Sequence, residues 1–227
     1  MALLLVVNAD DLGYDPEIDR GILEAHARGV VTAASAMVDT PFSERALAQV
    51  PATLDLGLHV VVPGGSGAGR VAEEIARQLL RFRSLRGAPP THLDSHRHAH
   101  AGAAALEAFA RAALAEGIPL RALDQPMRAF LRGLGVLTAD RFLGDASLRP
   151  CWTDERLLSA LRSLDGAASG SVELMCHPGY CAALARTSFA LEREEELRAL
   201  TLPAVREAIR VSGARLGRFP ELASGRA

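Results

Sequence analysis

Side chains able to hold a metal or move a proton fall at four places in this 227-residue chain, each at the end of a short apolar run. Asn8-Ala9-Asp10-Asp11 follows Leu3–Val7, and His59 closes Leu56-Gly57-Leu58. Four of the seven histidines (His92, His96, His98 and His100) lie within nine residues, together with Asp94. Glu173–Cys176 runs into His177-Pro178-Gly179. One carboxylate with two imidazoles is a donor set that binds a divalent cation and leaves positions open for water and substrate. A second carboxylate that does not ligate can take the proton from that water, whose pKa the metal lowers. The cation also relieves the repulsion between two neighbouring carboxylates. Asp10 and Asp11 fit such a division of labour, and His177 or another nearby histidine can protonate a departing group.

Each fragment alone has a plainer explanation. A single His59 is most often a core histidine, and an Asp-Asp pair after a strand often caps a helix. Their common position at strand ends favours a site, because parallel α/β folds collect chemistry at the carboxyl ends of their strands. The remaining candidates are weaker. Cys176 and Cys181 flank His177, but no oxyanion loop accompanies them, and they read as buried thiols. Trp152 suits either a sugar-stacking platform or the core. Gly64–Gly69 lacks the context of a phosphate loop and reads as a flexible connection.

Composition removes whole classes of function. All 25 basic residues are arginine and none is lysine, so Schiff bases, pyridoxal anchoring and a P-loop lysine are excluded. The net charge of −2 and 4% aromatic content argue against a nucleic-acid surface. The densest basic run, Arg77–Arg86, reads as a solvated helix face. Met1–Val7 is too short for a signal peptide or membrane span and reads as a buried strand. Three cysteines without a CxxC do not make a disulfide framework. A soluble, cytoplasmic protein is expected.

The elements that must position these residues alternate as βα units. Strands are expected at Leu3–Asn8, Ala33–Val38, Leu54–Val62, Thr91–Ser95, Leu120–Leu123, Ser171–Cys176 and Arg215–Phe219. Helices are expected at Pro16–Arg28 (capped by Asp15, stopped by Gly29), Glu44–Val50, Val71–Arg86, Ala101–Glu116, Thr153–Ser163, Leu191–Leu200 and Pro203–Val211. Gln125–Arg149 reads as mixed helix and strand. Seven or eight units without an internal linker predict one α/β domain over residues 1–227, a barrel rather than a doubly wound sheet.

Val7–Gly13, Leu58-His59, Thr91–His96 with His98 and His100, Glu173–Gly179 and the segment Ala25–Val38 together resemble the YdjC-like carbohydrate deacetylase family, in order and spacing across nearly the whole chain. The resemblance implies a single distorted TIM-like (β/α) barrel and metal-dependent removal of an N-acetyl group from an amino sugar. It implies Asp11, His59 and His96 as ligands of one divalent metal ion, Mg or Zn/Co, Asp10 as catalytic base, and His177 in the active site as general acid. Two departures stand out. Leu12 replaces the phenylalanine usual in the first motif, which is a packing change. Only 31 residues separate His59 from Thr91, a stretch that is longer in related enzymes and helps form the mouth of the site there.

The expected partner is an N-acetylated sugar, with a homodimer as the candidate assembly and neither nucleic acid nor membrane involved. Two alternatives compete: a metal phosphoesterase, and a binding protein whose metal site is vestigial.

Overall fold

In the computed structural model, β1 (Leu4–Leu12) is buried along all nine residues, as a parallel strand covered on both faces must be. Side chains alternate between the faces of a strand, and β1 divides accordingly. Leu3, Leu5, Val7 and Ala9 join the main apolar core, whereas Leu4 and Val6 join a small inner cluster with Ala33, Phe219 and Leu222. Asn8 and Asp10 continue that inner row.

The structure describes residues 2–144, 151–164, 169–184, 187 and 189–224. After β1 come α1 (Pro16–Arg28), β2 (Ala33–Ala36), α2 (Ser43–Gln49), β3 (Asp55–Val60), α3 (Ala68–Arg86), β4 (Leu93–Ser95), a 3-10 turn (His96–Ala101) and α4 (Ala103–Glu116). They are followed by α5 (Gln125–Gly133), β5 (Arg141–Leu143), α6 (Asp154–Arg162), β6 (Ser171–Cys176), α7 (Leu191–Thr201), α8 (Pro203–Val211), β7 (Arg215–Leu216) and α9 (Glu221–Ser224). Local signals explain the sharpest boundaries. The Asp15 side chain accepts a hydrogen bond from the Glu17 amide, Pro16 opens α1, and the Gly29 amide closes it on Ala25 O.

The seven strands pair in parallel in the order β4-β3-β2-β1-β6-β5, with β7 beside the first residues of β1. This corrects the expected barrel of seven or eight units: among the described residues the sheet is open and curled. Closure fails where Leu120–Leu123 should have been a full strand. That segment gives a single bridge, Leu93 to Leu120, and one bond from the Leu120 amide to Leu137 O. Pro119 has no amide to donate, and Asp124 already caps α5, so too few residues remain for a ladder. Of the ambiguous stretch, α5 and β5 form; residues 145–149 lie outside the described residues.

One irregularity bears directly on function. Ala9 pairs with Ala34 and Leu12 with Ala36, so β1 carries one extra residue against β2. Asp11 sits in this bulge with φ of +73°, a conformation disfavoured for a residue with a Cβ. Strict alternation would send Asp10 and Asp11 to opposite faces. The bulge turns both carboxylates toward the same end of the sheet.

Candidate active site

Asp11, His59 and His96 meet at one point. Asp11 Oδ1 lies 3.3 Å from His59 Nε2 and 3.1 Å from His96 Nδ1, and the three side chains form a group with metal-ligand spacing. β1 supplies the first, β3 the second, and the turn after β4 the third. His59 pairs in register with Asp94 on β4, and its Nδ1 donates to Asp94 Oδ1 at 2.7 Å. That bond fixes the tautomer and turns Nε2 inward as a lone pair. A lone pair facing a carboxylate oxygen needs a cation or a proton between them, so the donor set fits a divalent metal. Burial opposes charge on His59, but Asp94, Asp10 and Asp11 outweigh it and push the ring up to about 10. Burial likewise raises Asp11, yet Arg193 and the two imidazoles hold its carboxyl well below the ordinary range.

The adjacent Asp10 is treated differently. Arg121 clamps both of its oxygens, NH1 on Oδ2 and NH2 on Oδ1, each at 2.7 Å. Asn8 Nδ2 donates to Asp10 Oδ1 and to Ser35 Oγ, both at 2.8 Å. An amide suits position 8 because it offers two donors to neighbouring acceptors. Burial would raise Asp10, but Arg121 prevails and keeps it ionised. His177 Nε2 stands 4.0 Å from Asp10 Oδ2. Burial lowers the pKa of His177 despite the nearby carboxylates, which makes its conjugate acid a stronger donor.

All five residues singled out from the sequence therefore come together, but the network that holds them includes four that were given no role. Arg121, at the failed strand, also binds Asp94 Oδ2 at 2.8 Å and Glu173 Oε1 at 2.6 Å. Asp94 orients His59. Burial pushes Glu173 up to about 7 against the pull of Arg121, so this third acid sheds its charge most easily. Arg193 on α7 donates to Asp11 Oδ2 at 2.5 Å. Asp94 and Glu173 lie in segments already marked by their place at strand ends; the sequence signal for Arg121 is a charge inside an otherwise apolar strand pattern, and Arg193 gives none, lying in a charged helix.

The histidine cluster divides. Only His96 reaches the donor set. His92 lies beneath it, bonded to Ser35 and Thr91 and stacked on Phe219 at 3.7 Å. Gly57 makes room for this ring, since a Cβ there would come within 2.4 Å of it. His100 bonds Ser95 Oγ at 2.6 Å, and burial lowers His92 and His100 to about 3 and His98 to about 4. A second group, Asp10, His59 and Asp94, also has metal-ligand spacing, but Arg121 already bridges its two acids.

Other expectations resolve plainly. Trp152 is core, its indole N–H bonded to Met175 O at 2.7 Å. Cys176 is a buried thiol, but Cys181 is exposed, a correction to its reading as buried. It lies past β6, outside the layers that cover Cys176. Arg77 is not merely solvated: it pairs with Asp39 and Glu74.

Beside His96 opens a cleft of about 660 Å³, whose walls include Tyr14, Asp39, Val62, Arg77 and Gln78. The segment after β3 supplies the α3 wall of this cleft through Glu74, Arg77 and Gln78. Residues 4–211 match the family model for YdjC-like proteins. The chain belongs to the YdjC-like family. A chitooligosaccharide deacetylase of Serratia marcescens is 34% identical to this YdjC-like chain over 261 aligned residues, covering 98% of this chain and all of that one. Its counterpart in Yersinia pestis (strain Pestoides F) is 31% identical and covers 96% and 99%. The crystal structure of a protein proposed to cleave cellobiose-phosphate, from Enterococcus faecalis V583, superimposes with a TM-score of 0.85 at 26% identity, covering 98% and 99%. A family 4 acetyl xylan esterase from Clostridium thermocellum, in complex with a cobalt ion, shares the fold at a TM-score of 0.56 and 13% identity, covering 97% and 90%.

Proposed function

We propose that this YdjC-like protein is a metal-dependent deacetylase that hydrolyses the N-acetyl group of an amino sugar in an oligosaccharide or glycoconjugate. The observation that carries this reading is the convergence of Asp11, His59 and His96 next to a separate carboxylate, Asp10, with His177 within 4.0 Å of it. A divalent ion held by Asp11, His59 and His96, whether Mg, Zn or Co, would supply Lewis acidity to the acetamide carbonyl and acidity to water. Asp10 takes the proton of the attacking water through a lone pair that Arg121 and Asn8 leave free. His177 donates a proton to the sugar nitrogen as the C–N bond breaks. Arg121 keeps Asp10 ionised and oriented, and the cleft beside His96 takes the sugar.

The names of the Serratia and Yersinia relatives support chitooligosaccharides as the substrate class. A two-metal phosphoesterase is disfavoured, because the Arg121 guanidinium sits between the acids a second cation would use. The proposed location is the cytoplasm, supported by three cysteines with none paired. Among the described residues no helix is long and apolar enough to cross a membrane.

The test is acetate release from N-acetylglucosamine oligomers. Asp10→Asn should keep the metal and lose about 10²–10⁴-fold in kcat, while His59→Ala and His96→Ala lose metal and turnover together. Equal acetate release by chelator-treated and untreated protein would overturn the reading.

A further inference from the structure

The two arginines at the site grip two consecutive aspartates in different ways. Arg121 takes both oxygens of Asp10. Arg193 takes one oxygen of Asp11, its NH2 on Oδ2, while Oδ1 faces His59 and His96. The approach of Arg193 is built into the fold. A Cβ at Gly179 would lie 3.2 Å from Arg193 Cδ, and one at Gly21 would lie 2.4 Å from Gly179 Cα. Two glycines thus let the loop after β6 press onto α1 and let the arginine run inward against it. Arg193 Nε donates to Phe189 O at 3.0 Å, and the side chain is 2% exposed. Its NH1 is buried with no hydrogen-bond partner among the described residues, so this guanidinium, anchored through Nε, gives the carboxylate a single bond rather than a two-pronged clamp.

We infer that Arg193 is a positioning residue that restricts Asp11 to a single ligating oxygen. The inference rests on the metal-deacetylase reading and says something further about it: the site is arranged to bind its ion less tightly than its donors allow. A carboxylate with both oxygens free can chelate, closing a coordination position. With Oδ2 committed to Arg193, only Oδ1 would be available to an ion, which would leave room for water and the acetamide oxygen. The arginine also brings a buried positive charge close to where the ion binds, and like charges at such range in a protein interior repel strongly. Metal affinity is given up in exchange for an open coordination sphere. Asp11 accepts a left-handed backbone in the same cause, since its carboxylate must point between Arg193 on one side and two imidazoles on the other.

The experiment is metal titration of the chelator-stripped, full-length protein with Co and Zn, by calorimetry and by the visible spectrum of the cobalt form. Arg193→Met removes the charge and leaves Oδ2 free. It should bind cobalt about tenfold tighter or more, with a weaker visible band as the coordination number rises, and with lower deacetylase turnover. Arg193→Lys keeps the charge and should stay within about threefold of wild type, because one ammonium can occupy the same oxygen. A folded Arg193→Met protein with unchanged or weaker metal affinity overturns the inference. X-ray absorption of the cobalt-loaded wild type needs no variant: a metal-to-carbon distance typical of a chelating carboxylate would also overturn it. If the wild type itself binds no stoichiometric metal, the metal-deacetylase reading falls and this inference with it. Normal wild-type binding with no gain in the variant removes only the role of Arg193.

Discussion

Val7 and Asn8 are neighbours on one strand, both fully buried, yet they belong to two regions held together by different physics. Val7 faces the layer between sheet and helices, where Leu5, Ile18, Ile22, Leu47 and Phe82 exclude water without directional bonds. Asn8 faces the inside of the curled sheet, where Asp10, Asp94, Glu173, His59 and Arg121 are buried as a bonded network. In the first region a lost side chain costs area and leaves a cavity. In the second it leaves a charge without its counter-charge, in surroundings that cannot solvate it. The outer layer therefore tolerates change of shape at similar volume, whereas the interior tolerates change only in matched pairs.

The largest effect that would separate the two regions is Arg121→Met, expected to cost about 3–5 kcal/mol because three carboxylates lose their shared cation. Leu47→Ala should cost about 2–5 kcal/mol. Stabilities near each other are thus expected in urea unfolding, and the contrast lies in rescue. Adding Asp94→Asn to Arg121→Met should recover part of the loss, whereas a second truncation in the outer layer, remote from Leu47, should simply add. Strict additivity for the charged pair would erase the distinction.

Asp94→Asn alone tests a finer point. It keeps the shape but weakens the hold on His59 Nδ1, so metal affinity should fall about 10–100-fold while the protein remains folded. Calorimetric titration with zinc measures this, and no loss would mean His59 is oriented by something other than its register partner.

The last effect is read from pH, as a slope rather than a loss. Glu196 on α7 accepts the amides of Trp152 and His177, but burial dominates and pushes it up to about 8. A carboxyl whose pKa is raised on folding gives stability that is full below its unfolded value and is lost as pH climbs to the folded one. Between about pH 4.5 and 8 this one proton contributes a slope of at most about 1.4 kcal/mol per pH unit. Glu196→Gln should flatten the pH dependence by that amount. An identical slope in wild type and variant would show that Glu196 is ionised in the fold.

The same division governs how far each region was legible in the sequence. α1, α8 and β6 have the expected bounds because their signals are local: Asp15-Pro16 and Gly29 around α1, Pro203 opening α8, and a continuous apolar run in β6. The five residues expected in the site announced themselves by type and by position after such runs. Arg121 and Arg193 did not, because their partners lie 111 and 182 residues away and only the closed fold brings them together. The failed strand at Leu120–Leu123 has the same origin. Its apolar pattern favours a strand, while Pro119, the cap at Asp124 and the inward demand for Arg121 leave no length for one.

The extra residue in β1 gives the Asp-Asp motif a reading frame. Deleting either residue between Ala9 and Leu12, Asp10 or Asp11, would iron out the bulge and restore simple alternation. The one remaining acid could then not sit between Arg121 and Arg193 as the present pair does. Neither exchanging the two aspartates nor replacing one can mimic that outcome, since side-chain chemistry at 10 and 11 is already the same. What makes one a base and the other a ligand is the kink of the backbone between them.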